Sequence, residues 1–345
     1  MKFSKTKFLF RFSCSVLIFS AIIFITGCNL FGGKHKKEVD GRFLANGLDG
    51  HYIWQLKIHG NYLYAAADSG LYRCTLNDEQ WSTLDPGMHL TFVVYTDQEI
   101  LAEHKGILYR TTTGGKTWQK YQNGFGGDTP FYPFDLELDP NNTDVIYAEV
   151  NGGSVAKSTD HGQSWKLVWG VWDEAGSGFF VRVDPNNSQI VWAGGASIGP
   201  LLIKSTNGGQ NWQHLNPAQP IPETAAFDFM IHPFHSDTVL AGLGIGIYKS
   251  TDGGQQWRYV FHKASIFTLG QDQFHPQTVY GAGFNQTHTL FYTVSHNFGD
   301  TWRMVSDTSG STGIRINDLV ATMVKGKEVL FFGTNKGVFK YIVPK

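Results

Sequence analysis

Three cysteines in 345 residues rule out a disulfide framework. Cys14 lies inside an apolar N-terminal stretch and Cys28 at its end, which leaves Cys74 alone in the rest of the chain. Charge is also scarce. Charged residues make up 17% of the chain and the net charge is −1, so the concentrated basic face of a nucleic-acid binder is excluded. Runs suited to long helices are few. The chain is instead rich in glycine, with 40 residues, and aromatics account for 14%. That balance predicts many short strands joined by tight turns, and the length suffices for one large all-β domain stabilised by its own core.

The first 27 residues read as an address and not as part of the fold. Lys2, Lys5, Lys7 and Arg11 form a positive start, and 12–26 form an apolar stretch too short for a comfortable membrane span. It ends in Ile25-Thr26-Gly27-Cys28, which resembles the lipobox of bacterial lipoproteins. The resemblance implies cleavage before Cys28 and a lipid on its sulfur. The mature chain is then expected in the cell envelope, on the outer membrane or cell surface, with its folded part outside the cytoplasm. Loss of the four basic residues takes the net charge from −1 to −5. Residues 28–39 read as a polar tether, and 40–345 as the folded domain.

Internal periodicity carries the fold prediction. The octets Ser158-Thr159-Asp160-His161-Gly162-Gln163-Ser164-Trp165 and Ser250-Thr251-Asp252-Gly253-Gly254-Gln255-Gln256-Trp257 share one pattern, and Ser205 to Trp212 repeats it with Asn207 in the acidic place. Thr111 to Trp118 and Ser295 to Trp302, the latter with Asn297, are worn copies, and Cys74 to Trp81 is a degenerate one. The tryptophans recur at 81, 118, 165, 212, 257 and 302, about one per four-stranded unit. These octets resemble the Asp-box (BNR) repeat over nearly all of the mature chain. Their chemistry is that of a hairpin turn: hydroxyl and carboxylate take up turn amides, glycine supplies positive φ, and tryptophan buries a ring. Asp160, Asn207, Asp252 and Asn297 are therefore assigned to structure, and Cys74, at the place of Ser or Thr, to packing.

Four-stranded units repeated radially make a propeller. After Trp302 the chain supplies three strands and stops. The missing strand is matched at the other end, where Gly41 to Leu48 parallels Trp118 to Phe125. The expectation is an all-β, seven-bladed β-propeller of four-stranded antiparallel blades, the last closed by the N-terminal strand, and monomeric.

Several chemically suggestive residues are explained by the repeat. His232 and His235 have a metal-pair spacing, yet His235 and His275 occupy the position of Asn142 and Asn187, in a turn that tolerates unusual φ. Arg73 and Arg110 align with Lys157, Lys204, Lys249 and Lys340. Lys57, Glu137 and Arg182 align on inner strands, and their mixed signs predict ion pairing around the hub. No motif calls for a cofactor or a metal. Two departures remain. Glu103 and Glu149 stand where other blades have Ala66, Gly194, Gly242, Ala282 and Gly333, as rim carboxylates or as an acid/base pair. The loops near Phe125, Phe131, Tyr132, Trp169, Trp172 and Phe179 are aromatic, and Asp173 and Glu174 accompany Trp172.

Asp-box families such as the sialidases bind ligands on the face opposite the octets, which implies the same face here. The arginine clamp of sialidases is missing: with the blade-position arginines and those beside octet tryptophans set aside, Arg42, Arg182 and Arg315 remain. In size the chain is similar to the single-propeller photosystem II assembly-factor family. The expected function is a membrane-anchored, non-enzymatic binding or assembly module for a protein or glycan, using Trp172, Asp173, Glu174, Tyr132, Glu103 and Glu149. The alternative is a glycoside hydrolase or polysaccharide lyase using Glu103 and Glu149. For the anchor, Cys28→Ala is expected to abolish fatty-acid labelling and release the protein from membranes on fractionation. Unmodified Cys28 in the native membrane-bound protein would refute it.

Overall fold

The computed structural model describes residues 40–122, 133–150, 153–170, 177–197, 199–215, 225–285, 289–307 and 312–344. Cys28, Tyr132, Trp172, Asp173 and Glu174 lie outside them, as do Phe125 and Phe131. Among the described residues no helix is long and apolar enough to cross a membrane.

The chain forms seven four-stranded antiparallel sheets. After β1 (Phe43–Ala45), blade one is β2 (Ile53–His59), β3 (Tyr62–Ala67), β4 (Gly70–Thr75) and β5 (Ser82–Pro86). Blade two is β6 (Phe92–Val94), β7 (Ile100–His104), β8 (Ile107–Thr111) and β9 (Gln119–Gln122), and blade three is β10 (Pro133–Asp139), β11 (Asn142–Val150), β12 (Ser154–Ser158) and β13 (Lys166–Trp169). Blade four comprises β14 (Ser177–Val183), β15 (Val191–Ser197), β16 (Gly199–Ser205) and β17 (Gln213–His214). Blade five comprises β18 (Ala226–His232), β19 (His235–Leu243), β20 (Gly246–Ser250) and β21 (Arg258–Phe261). Blade six has β22 (Ser265–Gln271), β23 (Val279–Phe284), β24 (Phe291–Ser295) and β25 (Arg303–Ser306). Blade seven joins β26 (Ile316–Val324), β27 (Lys327–Thr334) and β28 (Gly337–Ile342) to β1, in the order β1-β28-β27-β26.

The octets form the turns between third and outer strands. In blade five the Ser250 hydroxyl donates to Asp252 Oδ1 at 2.8 Å and accepts the Gly254 amide at 2.9 Å. Asp252 Oδ1 also accepts the Gln256 amide at 2.9 Å, and Trp257 Nε1 donates to Gly254 O at 3.0 Å. A Cβ at Gly254, whose φ is +93°, would meet Trp192 Cη2 at 2.7 Å, so glycine is needed for conformation and for room. The same bonds recur around Ser158 and Asp160, Ser205 and Asn207, and Ser295 and Asn297. Trp257 is buried, whereas Trp165, Trp212 and Trp302 are half-buried. Cys74 is buried and unpaired, and burial pushes its thiol up to about 12, so it packs and does not react.

Third-strand cations latch neighbouring blades on this face. Lys157 Nζ donates to Gly208 O at 2.8 Å and Lys204 Nζ to Gly253 O at 3.0 Å, in each case the next blade's octet. Lys249 reaches Asp300 at 2.9 Å and Lys340 reaches Glu79 at 2.7 Å. Aromatic packing fills the seams, with Trp192 and Phe229 stacked at 4.5 Å across blades four and five.

The ring closes through β1, where Phe43 pairs with Tyr341 and Ala45 with Phe339. The Phe43 ring lies 5.0 Å from Tyr341, 5.3 Å from Phe332 and 6.2 Å from Tyr292. Phe43→Ala should therefore cost about 2–4 kcal/mol, somewhat below a fully buried phenylalanine, as measured by urea unfolding. Deleting 40–46 should cost more, because it also opens a sheet edge. Unchanged unfolding in both would show that closure does not need β1.

Candidate functional site

Inner strands begin on the face opposite the octets. Six of them carry an irregularity at one shared point: pairing skips Trp54, Phe134, Phe179, Phe227, Phe267 and Asn317. A bulged residue loses its ladder partner and its side chain is re-aimed. Here Trp54, Phe134, Phe227, Phe267 and Asn317 all line one cavity of about 280 Å³, joined by Leu90 of blade two. Trp54 and Phe134 are 38% and 45% exposed, large values for aromatic rings within sheets. Phe227 and Phe267 meet edge to face at 4.6 Å, and the Arg315 guanidinium sits 5.1 Å over the Phe267 ring. Tyr52 packs at 4.2 Å from Trp54 and donates to Asn317 Oδ1 at 3.1 Å.

Under this aromatic collar lies a charged floor. The residue after the bulge is Gln55, Asp135, Asp228, Thr268 or Asp318 in five of the six blades and Phe180 in blade four, and Thr91 holds the same place in blade two. Arg182 bridges Asp135 and Asp228, the latter at 2.6 Å. Lys57 Nζ donates to Leu136 O at 3.0 Å. The expected hub pairing thus centres on Arg182, but its partners are Asp135 and Asp228, which the inner-strand alignment did not single out. Burial, with Asp228 nearby, pushes Asp318 up to about 7 despite the amides it accepts. Burial likewise pushes Glu137 up to about 7 against the pull of Arg182 and Lys57. Glu137 is half-buried, yet protein surrounds its carboxyl, and the raised value follows from that enclosure.

Glu103 and Glu149 are both only 1% exposed and neither lines the cavity. They lie within β7 and β11 and not beyond the strands. The Glu103 carboxylate accepts the amides of Gly106 at 2.6 Å and Leu90 at 3.2 Å. Burial holds its pKa above the ordinary carboxylate value all the same. Glu149 has no hydrogen-bond partner among the described residues, and burial followed by the Asp135 charge raises its pKa well above the ordinary range. Trp169 is half-buried and packs its edge on His214 at 5.1 Å. His232 Nδ1 accepts the Phe234 amide at 3.1 Å, as Asp184 accepts Asn186 at 2.7 Å, so the ring performs an aspartate's turn role.

The collar was missed from sequence, although it leaves a trace there. Trp54-Gln55-Leu56, Phe134-Asp135-Leu136, Phe227-Asp228-Phe229 and Phe267-Thr268-Leu269 share an aromatic–polar–apolar order. Among the described residues one group of metal-ligating types converges, namely Asp85, His89 and His104.

Fold and mouth together define a single-ring, seven-bladed β-propeller with an aromatic mouth opposite its turn face. No family model and no curated protein sequence matches the chain. Among solved structures it is similar to YCF48 bound to D1 peptide, with TM-score 0.65, 14% identity, and coverage of 90% of this chain and 97% of that one. YCF48 from Cyanidioschyzon merolae gives TM-score 0.63 and 15% identity over 88% and 99%. An ancestral GH74 enzyme gives TM-score 0.67 and 17% identity, over 84% of this chain and 44% of the enzyme. The chain thus spans about half the length of the GH74 neighbours, and these likenesses concern the fold.

The Glu137 carboxyl makes stability pH-dependent. Its folded pKa of about 7 exceeds the unfolded value, so the folded state binds more protons between roughly pH 4 and 7 and stability falls as pH rises through that window. Glu137→Gln should flatten that fall by about 1–2 kcal/mol, once the partial exposure of the group is discounted for solvent screening. Melting series from pH 5 to about 8 on both proteins test it, and parallel curves would count against it.

Proposed function

We propose that this chain is a non-enzymatic binding or assembly module, held at an envelope membrane through lipid on Cys28. Its mouth face, opposite the octets, receives a segment of a protein partner. The observation that carries the reading is the bulge-displayed collar of Trp54, Phe134, Phe227 and Phe267 around a cavity of about 280 Å³. That volume is near the lower end of small-molecule pockets, roughly 300 Å³, and suits one or two side chains of an inserted segment. Half-exposed aromatics beside a guanidinium are the composition of interface anchors. Support also comes from the similarity to YCF48, which has been solved bound to D1 peptide.

The hydrolase alternative draws on the GH74 neighbours. It needs two carboxylates flanking a substrate bond. Glu103 spends its oxygens on backbone amides, and neither it nor Glu149 lines the cavity. The carboxylates that do reach the mouth, Asp135, Asp228 and Asp318, are occupied by amide, hydroxyl and guanidinium donors. A glycan ligand for the collar keeps the binding reading intact, since sugar rings stack on aromatics.

Trp54→Ala and Phe134→Ala, both at exposed positions, should leave the melting temperature nearly unchanged. Each should weaken partner capture by about 2 kcal/mol or more, read by cross-linked pull-down of the full chain from envelope extract. A panel of glycans assayed for turnover provides the opposing arm. Turnover lost in Glu103→Gln or Glu149→Gln, with binding retained, would overturn the proposal in favour of a hydrolase.

A further inference from the structure

Beside the mouth, the loop joining β5 to β6 folds back onto the end of β7. The Gly87 amide donates to Ser69 O at 3.1 Å and the His89 amide to Ala67 O at 3.1 Å. Gly87 has φ +119°, and a Cβ there would lie 2.5 Å from His104 Cε1, so this glycine lets the His104 ring approach the loop. One oxygen of Asp85 and one nitrogen each of His89 and His104 lie within 4.8 Å of one another.

Hydrogen bonding sets the tautomer of both rings. His89 Nδ1 faces Glu103 O at 2.7 Å, and His104 Nδ1 faces Met88 O at 3.1 Å. A backbone carbonyl only accepts, so each Nδ1 carries the proton and each neutral ring presents a lone pair at Nε2. This is the arrangement in which protein metal sites hold their histidines, with the far nitrogen tied to a carbonyl. On the near side, His89 Nε2 stands 2.9 Å from Asp85 Oδ2. With Nδ1 as the donor, that contact carries either a second proton, as in an imidazolium, or a metal cation bridging the Nε2 lone pair and the carboxylate oxygen.

We propose that Asp85, His89 and His104 form a binding site for a divalent transition metal of the zinc class. Two imidazoles and one carboxylate are the borderline donor set that such ions take, and three protein ligands leave a fourth position open. Ligand atoms at about 2.0–2.2 Å from one ion are at most ~4.4 Å apart, so the half-buried His104 needs only a small inward swing. Asp85 and His104 are half-buried and His89 is fully buried, so the site is reachable from solvent on the side of Asp85 and His104. The ion would tie the 87–91 segment to the second blade, and Leu90 of that segment lines the mouth.

The site also accounts for a residue the repeat leaves unexplained. Glu103 replaces the small residue found in other blades, and its carboxylate fixes the Leu90 and Gly106 amides while its carbonyl orients His89. Glu103 is thus a positioning residue for the metal loop.

The test uses the full chain purified without a histidine tag and stripped with chelator. Zinc titration should show one equivalent bound and a raised melting temperature. Cobalt should give the visible absorption of a low-coordinate nitrogen and oxygen site. His104→Gln and Asp85→Asn change half-buried side chains and should leave the metal-free melting temperature near that of the unaltered chain. Each should weaken zinc binding by more than about 100-fold, beyond the 10–100-fold typical of losing an outer partner. Glu103→Gln should weaken it less. Failure of the unaltered chain to bind either ion would overturn the proposal and leave His89 and Asp85 as a plain imidazolium–carboxylate pair. Undiminished binding in both ligand variants would overturn it equally, by placing the ion elsewhere.

Discussion

The ring depends on one repeated hydrogen bond at the hub. In five of the seven blades the side chain at the start of the inner strand, just after the bulge or at its equivalent place, reaches the backbone amide of the next blade's inner strand. Gln55 accepts the Phe92 amide at 3.1 Å, Thr91 the Leu136 amide at 3.0 Å, and Asp135 the Val181 amide at 3.2 Å. Asp228 accepts the Leu269 amide at 2.8 Å and Asp318 the Leu56 amide at 2.6 Å. Amides bound to a buried charged acceptor form stronger bonds than neutral pairs, and an unpaired buried amide carries its full desolvation cost. The last of these bonds joins blade seven to blade one, so the relay and the β1 closure secure the same seam from its inner and outer edges.

A propeller of seven similar sheets has no single core. Each seam buries its own aromatic and aliphatic cluster, such as that of Trp192, Phe180 and Phe229. Two directional contacts fix how neighbouring sheets meet: the hub relay on the inner strands and the lysine latches onto the octet turns. The apolar seams supply most of the burial energy and are tolerant of angle. The polar contacts are not, and they set the geometry that makes seven blades close.

Much of this was legible in the chain because the repeat is local. The octet turns, the strand order and the closing strand follow from spacing, and the hairpin chemistry of Ser250, Asp252 and Gly254 is contained within eight residues. The mouth was harder to read because it is assembled across blades. Trp54 and Phe134 are eighty residues apart and become neighbours only in the ring. A bulge also breaks the two-residue alternation by which inward positions are recognised, so an aromatic there reads as an outward residue or as core. Glu103 and Glu149 were legible as departures from the repeat, but burial cannot be read from a departure. The metal-ligating group was hidden for the same reason: Asp85 and His89 are close in sequence, whereas His104 comes from the next blade's second strand.

Blade four explains why an arginine sits in the hub. At the relay position it carries Phe180, which has no acceptor to offer blade five. The Phe229 amide of blade five accordingly turns to its own Asp228 Oδ1 at 2.8 Å. Two residues beyond Phe180, Arg182 spans the gap by bridging Asp135 behind it and Asp228 ahead, so the relay passes through a guanidinium instead of an amide. The cost is two enclosed carboxylates that need that one cation, together with Glu137 and Asp318, whose burial pushes their pKa values up to about 7. Where a bulge frees the relay side chain to reach the next blade, at Gln55, Asp135, Asp228 and Asp318, it also turns the preceding residue into the mouth. Closure therefore fixes the backbone at both places but constrains the chemistry of only one, and the collar can carry aromatics for a ligand without weakening the ring.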